Sequence, residues 1–283
     1  MLRPSYWVFP IISGVVWLGT LLGLLIHWNV NTHQRHYDSM ADNQTIAYIS
    51  DVGAAELKPL FIAGCVLTTI FLDISFGADR WLRHKGRLVP NATIGEKVLS
   101  GLTIAFAVVG TAGLILLSIF DTARHPKLHD IFLLLFITGY VLSAIFICWE
   151  YQRLGARYTE HRVLAHSFWI KLSFVVLEIL LAIAFVGCTF TSHYNAGAVL
   201  EWVIAFIFSF YVFSFCIDLY PAVRTKGTAG YRTTKARTQA MREMEEGGHH
   251  NPMTSHLHNH HTNNSSSNSS TKPVVTRGVP NNF

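Results

Sequence analysis

Charge is what this sequence has least of. Of its 283 residues only 14% are Asp, Glu, Lys or Arg, against roughly 25% in an ordinary soluble domain. That shortage excludes a conventional soluble enzyme, a disordered chain and a nucleic-acid-binding domain. Four cysteines are too few for a disulfide scaffold. Cys65, Cys148, Cys188 and Cys216 all fall in apolar runs, where cysteine serves as a small apolar residue. The usual catalytic strings are missing as well: there is no HExxH, no GxSxG and no phosphate-binding glycine loop. No cofactor and no metal is expected, and no repeat of fixed period occurs.

Apolar length is what the sequence has in abundance. Hydrophobic residues make up 51% of the chain, and the mean hydropathy is +0.33. A helix needs roughly 20 apolar residues to cross a bilayer. Six stretches qualify: Trp7 to Trp28, Leu60 to Gly77, Val98 to Phe120, Ile131 to Trp149, Phe168 to Phe190 and Val199 to Tyr220. Trp7, Trp28, Trp81, Trp149, Trp169 and Trp202 sit at or near span ends, where amphipathic rings favour the headgroup layer. The expected fold is all-α: a polytopic six-transmembrane-helix bundle over residues 1–223, followed by a disordered cytosolic C-terminal tail over 224–283. That tail is basic, then acidic, to about Glu246; beyond Gly247 it is His-rich, then Asn/Ser-rich, a composition too polar to bury a core. Gly19 and Gly23 in the first span and Gly110 and Gly113 in the third are small residues suited to internal helix packing.

Lys and Arg set the orientation. One set of segments holds Arg3, then Arg80, Arg83, Lys85 and Arg87, then Arg153, Arg157 and Arg162, and finally the tail. The opposite loops hold only Arg35, Lys58, Arg124 and Lys127. The positive-inside rule therefore puts both termini in the cytosol. The Asn43-Gln44-Thr45 sequon then lies outside and is a glycosylation site, whereas Asn91-Ala92-Thr93 is cytosolic and unused.

Three groups of residues invite a chemical reading. Asp73, Lys171, Glu178 and Asp218 lie within spans, where a carboxylate at mid-bilayer costs about 3 kcal/mol. Lys171 and Glu178, seven apart, share roughly one helix face and flank a common groove, while Asp218 faces Arg224 or a basic inner loop. Such groups serve either as interhelical ion pairs or as a polar groove for a lipid headgroup or a proton. At the outer surface, Asp51, His125, His129 and Asp130 include zinc-ligand types, but Pro126 breaks their helical spacing. Ser50, Asp51 and Gly53 equally suit a helix cap with a left-handed glycine, and Asp130 suits the N-cap of the fourth span. The third group is the basic tail, with Arg224, Lys226, Arg232, Lys235 and Arg237. It is either a positive-inside anchor or a site for anionic phospholipids, phosphoinositides or an acidic partner.

The string Tyr48-Ile49-Ser50-Asp51-Val52-Gly53-Ala54, leading through Leu57-Lys58-Pro59-Leu60-Phe61 into the second span, resembles the Frag/DRAM/Sfk family of six-span membrane proteins. His129-Asp130 before the fourth span is similar to a second landmark of that family, and the resemblance covers about Pro4 to Val223. The long polar tail is similar to the fungal suppressor-of-four-kinase branch rather than to the damage-regulated autophagy modulators. The resemblance implies a non-enzymatic plasma-membrane scaffold or regulator that engages a peripheral phosphatidylinositol 4-kinase complex and influences lipid organisation. It assigns no catalytic residue. Two alternatives stay open: a lipid-remodelling enzyme or lipid transporter, related to GPI anchors or phospholipids, and an autophagy-modulator-like protein of the vacuole or another endomembrane.

Overall fold

A computed structural model describes residues 6–89, 93–157 and 162–220. The elements are α1 (Val8–Ile26), continued by a π-helical turn (His27–Asn31), the short α2 (Ile49–Ala54), α3 (Lys58–His84), α4 (Ile94–Ile119), α5 (Pro126–Arg157), α6 (Arg162–Phe190) and α7 (Tyr194–Leu219). No strand occurs among the described residues. The six long helices are apolar enough to cross a membrane. At 1.5 Å per residue, 24 or more residues give about 36 Å, enough for a hydrocarbon layer of about 30 Å.

The helix starts follow local chemistry. Thr93 caps α4: its Oγ1 accepts from the Glu96 N–H, and the Glu96 carboxylate accepts from the Thr93 N–H. The threonine of the Asn91 sequon is thus one half of a reciprocal cap. Proline lies in the first turn of α3 and opens α5, where it has no intrahelical N–H to lose. The fourth span therefore begins at Pro126. Asp130 is not its N-cap but an exposed residue in the second turn, and His125 and His129 keep a helical i, i+4 spacing, with the His129 N–H bonded to the His125 carbonyl.

The long helices close a ring. α1 packs on α3 and α7, α3 on α4, α4 on α5, α5 on α6, and α6 on α7. Lipid offers as good an apolar environment as another helix, so close approach and hydrogen bonds must hold the ring. Ser13 Oγ donates to the Thr68 carbonyl (2.7 Å), Trp17 Nε1 to the Ala205 carbonyl (3.1 Å) and Ser143 Oγ to the Thr103 carbonyl (2.8 Å). α4 and α5 approach closest. A Cβ on Gly113 would stand 2.5 Å from the Phe136 nitrogen, one on Gly139 would strike the Gly110 backbone, and one on Gly110 would meet the Tyr140 ring at 2.6 Å. Gly19 behaves otherwise. It faces outward, with nothing near its would-be Cβ, so it does not serve internal packing.

Two of the six tryptophans also depart from the membrane-belt reading. Trp81, Trp149 and Trp169 are exposed at span ends as expected, but Trp28 and Trp202 are buried beneath the loop between α1 and α3. Their indole N–H groups donate to the Arg35 and Ala47 carbonyls.

Because backbone rather than a movable side chain opposes it, Gly113→Leu is expected to cost about 1–3 kcal/mol and to lower the thermal midpoint of the purified protein. Gly101→Leu, where a Cβ meets nothing within 4 Å, should leave it unchanged. Equal midpoints for the two variants would contradict this packing.

Candidate functional site

The segment of residues 32–57 folds over one end of the ring, and a single carboxylate organises it. Asp51 is 3% exposed. Its Oδ1 accepts from Ser39 Oγ (2.6 Å), and its Oδ2 accepts from Gln44 Nε2 (3.1 Å) and the Tyr48 N–H (3.0 Å). The last bond caps α2 at its first turn. Gln44 in turn donates to the Ile46 carbonyl and accepts from the Ala41 N–H. Ile49 and Asp51 are buried and Ser50 is half-buried, so this motif lies largely beneath the surface. Gly53 is not in the left-handed region. It is small because a Cβ there would lie 2.6 Å from the Phe61 ring of α3.

The first turns of α7 grip the same segment. Asn195 Oδ1 accepts from the Thr45 N–H (2.7 Å) and the Ile46 N–H (2.9 Å). Glu201 Oε2 accepts from the Ile49 N–H at 2.6 Å, and the Ser50 N–H also reaches this carboxylate. The start of α2 therefore satisfies its orphan N–H groups on Glu201. Tyr48 lies over Gly197, where a Cβ would collide with its hydroxyl. Burial, with the nearby Glu201 carboxylate adding to it, pushes the Tyr48 hydroxyl up to about 12. Asn43 stands exposed at the tip of this segment.

The His-Asp landmark splits in two. His129 is buried, and its Nδ1 lies 3.1 Å from both the Leu117 and Phe120 carbonyls. Carbonyls only accept, so Nδ1 carries the proton and ties off the end of α4. Beside it, Asp121 is bonded to Lys58 Nζ and to the Arg124 N–H, and Lys58 also reaches the Ile119 carbonyl. Burial alone would raise the Asp121 carboxyl. The Lys58 hydrogen bond, the Arg124 N–H and both positive charges outweigh that and hold it below the usual carboxylate range. Asp130 is exposed and takes no part. Among the described residues, no group of three or more His, Cys, Asp or Glu side chains converges.

Under the capped segment lies a cavity. Ile49 of α2 and residues of all six long helices line it, among them Trp17, Phe61, Leu114, Tyr140, Phe174 and Phe208. Two acidic side chains, Glu178 and Glu201, interrupt this apolar wall. Glu201 escapes a reading of the sequence because it looks like a span-end residue beside Trp202. The only signal is a carboxylate two turns inside an apolar run, the same signal that marks Glu178. Asn195 carries no such signal.

Lys171 does not share this cavity with Glu178. It lies toward the opposite, basic end, fully buried, with Nζ 2.5 Å from Asp218 Oδ2. Ser167 Oγ also donates to Asp218, and the ammonium stands 4.1 Å from the centre of the Phe215 ring. Asp218 is therefore partnered by Lys171. Asp73 accepts from Thr111 Oγ1 at 2.9 Å, and Thr111 is bonded in turn to the Tyr140 hydroxyl. Arg224, Lys226, Arg232, Lys235 and Arg237 lie outside the described residues.

Comparison with known proteins adds an independent line. A family model described as the Frag1/DRAM/Sfk1/Cwh43P N-terminal domain matches residues 5–222. The chain is similar to Protein sfk1 of Schizosaccharomyces pombe, 33% identical over 232 residues, covering 78% of this chain and 67% of that protein. It is also similar to Protein SFK1 of Saccharomyces cerevisiae, 30% identical over 191 residues, covering 57% of this chain and 54% of that protein. The chain thus spans about half the length of the latter relative. No solved structure matches.

The lowered carboxyl of Asp121 makes the α3–α4 corner acid-sensitive. An unfolded Asp titrates near about 3.9, and the folded value lies below it. The stabilisation is therefore fully present above the unfolded value and is lost as pH falls through the folded one. Thermal midpoints between about pH 6 and pH 3 should fall less steeply for Asp121→Asn than for the wild type. Parallel profiles would contradict the assignment.

Proposed function

The chain belongs to the Frag1/DRAM/Sfk1/Cwh43P family, and from that premise we propose that it is a plasma-membrane scaffold or regulator of phosphatidylinositol 4-kinase signalling and of lipid organisation. The observation that carries this reading is the family match across residues 5–222 together with one-third identity to a fungal sfk1 protein. The six spans make it a multi-pass membrane protein. With both termini cytosolic, the basic segment from Arg224 to Arg237 leaves the membrane beside the inner leaflet. Each basic residue there contributes about 1 kcal/mol of attraction to anionic lipid. Such a segment suits contact with anionic phospholipids or phosphoinositides and with a peripheral kinase complex. The same orientation puts the exposed Asn43 on the side where glycans are added.

The reading is non-enzymatic. Of Asp51, His125, His129 and Asp130, on which an enzyme at the outer surface would draw, Asp51 and His129 are engaged in capping α2 and closing α4. No specific observation favours the lipid-remodelling alternative.

The test is deletion of the segment after Arg224 in cells. The truncated protein should still reach the plasma membrane, while a lipid-binding reporter of phosphatidylinositol 4-phosphate should leave it. Glycosidase sensitivity that disappears in Asn43→Gln checks the orientation in the same cells. An unchanged reporter signal with the truncated protein at the surface would overturn the scaffold reading.

A further inference from the structure

The ring cavity is built unlike a lipid-filled gap between helices. Eight aromatic rings contribute to its wall, and so do two glutamates, but no Lys, Arg or His does. Glu201 is partly satisfied by the α2 amides. Glu178 is not: its Oε1 is buried and has no hydrogen-bond partner. A buried carboxylate oxygen without a donor is costly, and no Lys, Arg or His in the wall supplies one.

Helix geometry puts the two acids at different depths. Glu178 lies 12 residues from the end of α6 and Glu201 lies 7 from the start of α7. Those spacings correspond to about 18 Å and about 10 Å below the loop end. The space between and beside them is aromatic, with Tyr140, Phe174, Phe208 and Tyr211 on three helices. Aromatic faces attract organic ammonium groups. A phosphate-bearing headgroup would find no Lys, Arg or His there. A fatty acid would bring a third carboxylate.

We propose that the cavity is a binding site for a single-chain cationic amphiphile, a long-chain amine of the sphingoid-base class, with its amino group facing Glu178 and its chain along the aromatic wall. This inference does not depend on the kinase reading. It concerns the interior of the ring, whereas that reading turns on the basic segment beyond it.

The test uses the full-length protein in detergent and a photoactivatable, alkyne-bearing sphingosine as the probe. Crosslinking should be saturable and should map to α5, α6 and α7. Stearylamine should compete, whereas stearyl alcohol and stearic acid should not. Glu178→Gln should weaken labelling by about tenfold or more, the loss expected when a charged hydrogen bond is removed. Ala182→Trp, which fills the wall, should abolish it. A wild-type measurement needs no substitution: stearylamine should raise the thermal midpoint and stearyl alcohol should not. Equal competition or equal thermal shifts by amine and alcohol would overturn the proposal. So would wild-type labelling of correctly folded Glu178→Gln and Ala182→Trp proteins.

Discussion

Asp51 is a carboxylate that has exchanged nearly all its water for three protein donors. Ser39, Gln44 and the Tyr48 N–H converge on it from three points of one segment. A buried carboxylate is tolerated only when its acceptor sites are filled, so the side chain and the fold of the segment require one another. Once Tyr48 is fixed as the cap of α2, the next two amides, of Ile49 and Ser50, have no helical partner. Glu201 of α7 receives them. The same chain of constraints puts Gly53 against Phe61 of α3. One acidic residue thereby links the long loop to two helices of the ring and closes the cavity from that end.

The opposite end is held by a different balance. Lys171 and Asp218 are both inside, and a buried pair gains its Coulomb energy only against a large desolvation cost. Neighbouring groups reduce that cost. Ser167 donates to Asp218, and the Phe215 and Tyr151 rings face the ammonium. Arg83, bonded to Asp79 at 2.6 Å, stands 5.2 Å from the centre of the same Tyr151 ring. Cations from α3 and α6 therefore meet on one aromatic residue of α5, which ties three helices of the ring together.

The six spans were legible because apolar length is a one-dimensional signal. Their ends were less so: α5 extends five residues earlier than hydropathy suggests, since Pro126 starts a helix as readily as it interrupts one. Asp51 was visible as a cap, yet Gly53 was read as a turn residue when its role is to admit Phe61. That distinction depends on a side chain of α3 eight positions further on, which no local rule contains. Glu201 and Asn195 were missed for the same reason. Each acts on backbone groups about 150 positions away in sequence, and a side chain reveals nothing in sequence about the amide it will meet. Lys171 and Glu178 share a helix face by spacing, but the ring divides that face. One end looks onto the aromatic cavity and the other onto Asp218.

The central claim is that the Asp51 carboxylate holds the segment down as a cap on the ring. Amide hydrogen exchange over residues 36–54 tests it most directly, because exchange reports local opening residue by residue. The Ile49 and Val52 amides, bonded to Glu201 and to the Tyr48 carbonyl, should exchange slowly in the wild type. In Asp51→Ala they should exchange rapidly while the amides of α4 keep their protection. Unchanged protection of the segment in Asp51→Ala would contradict the account.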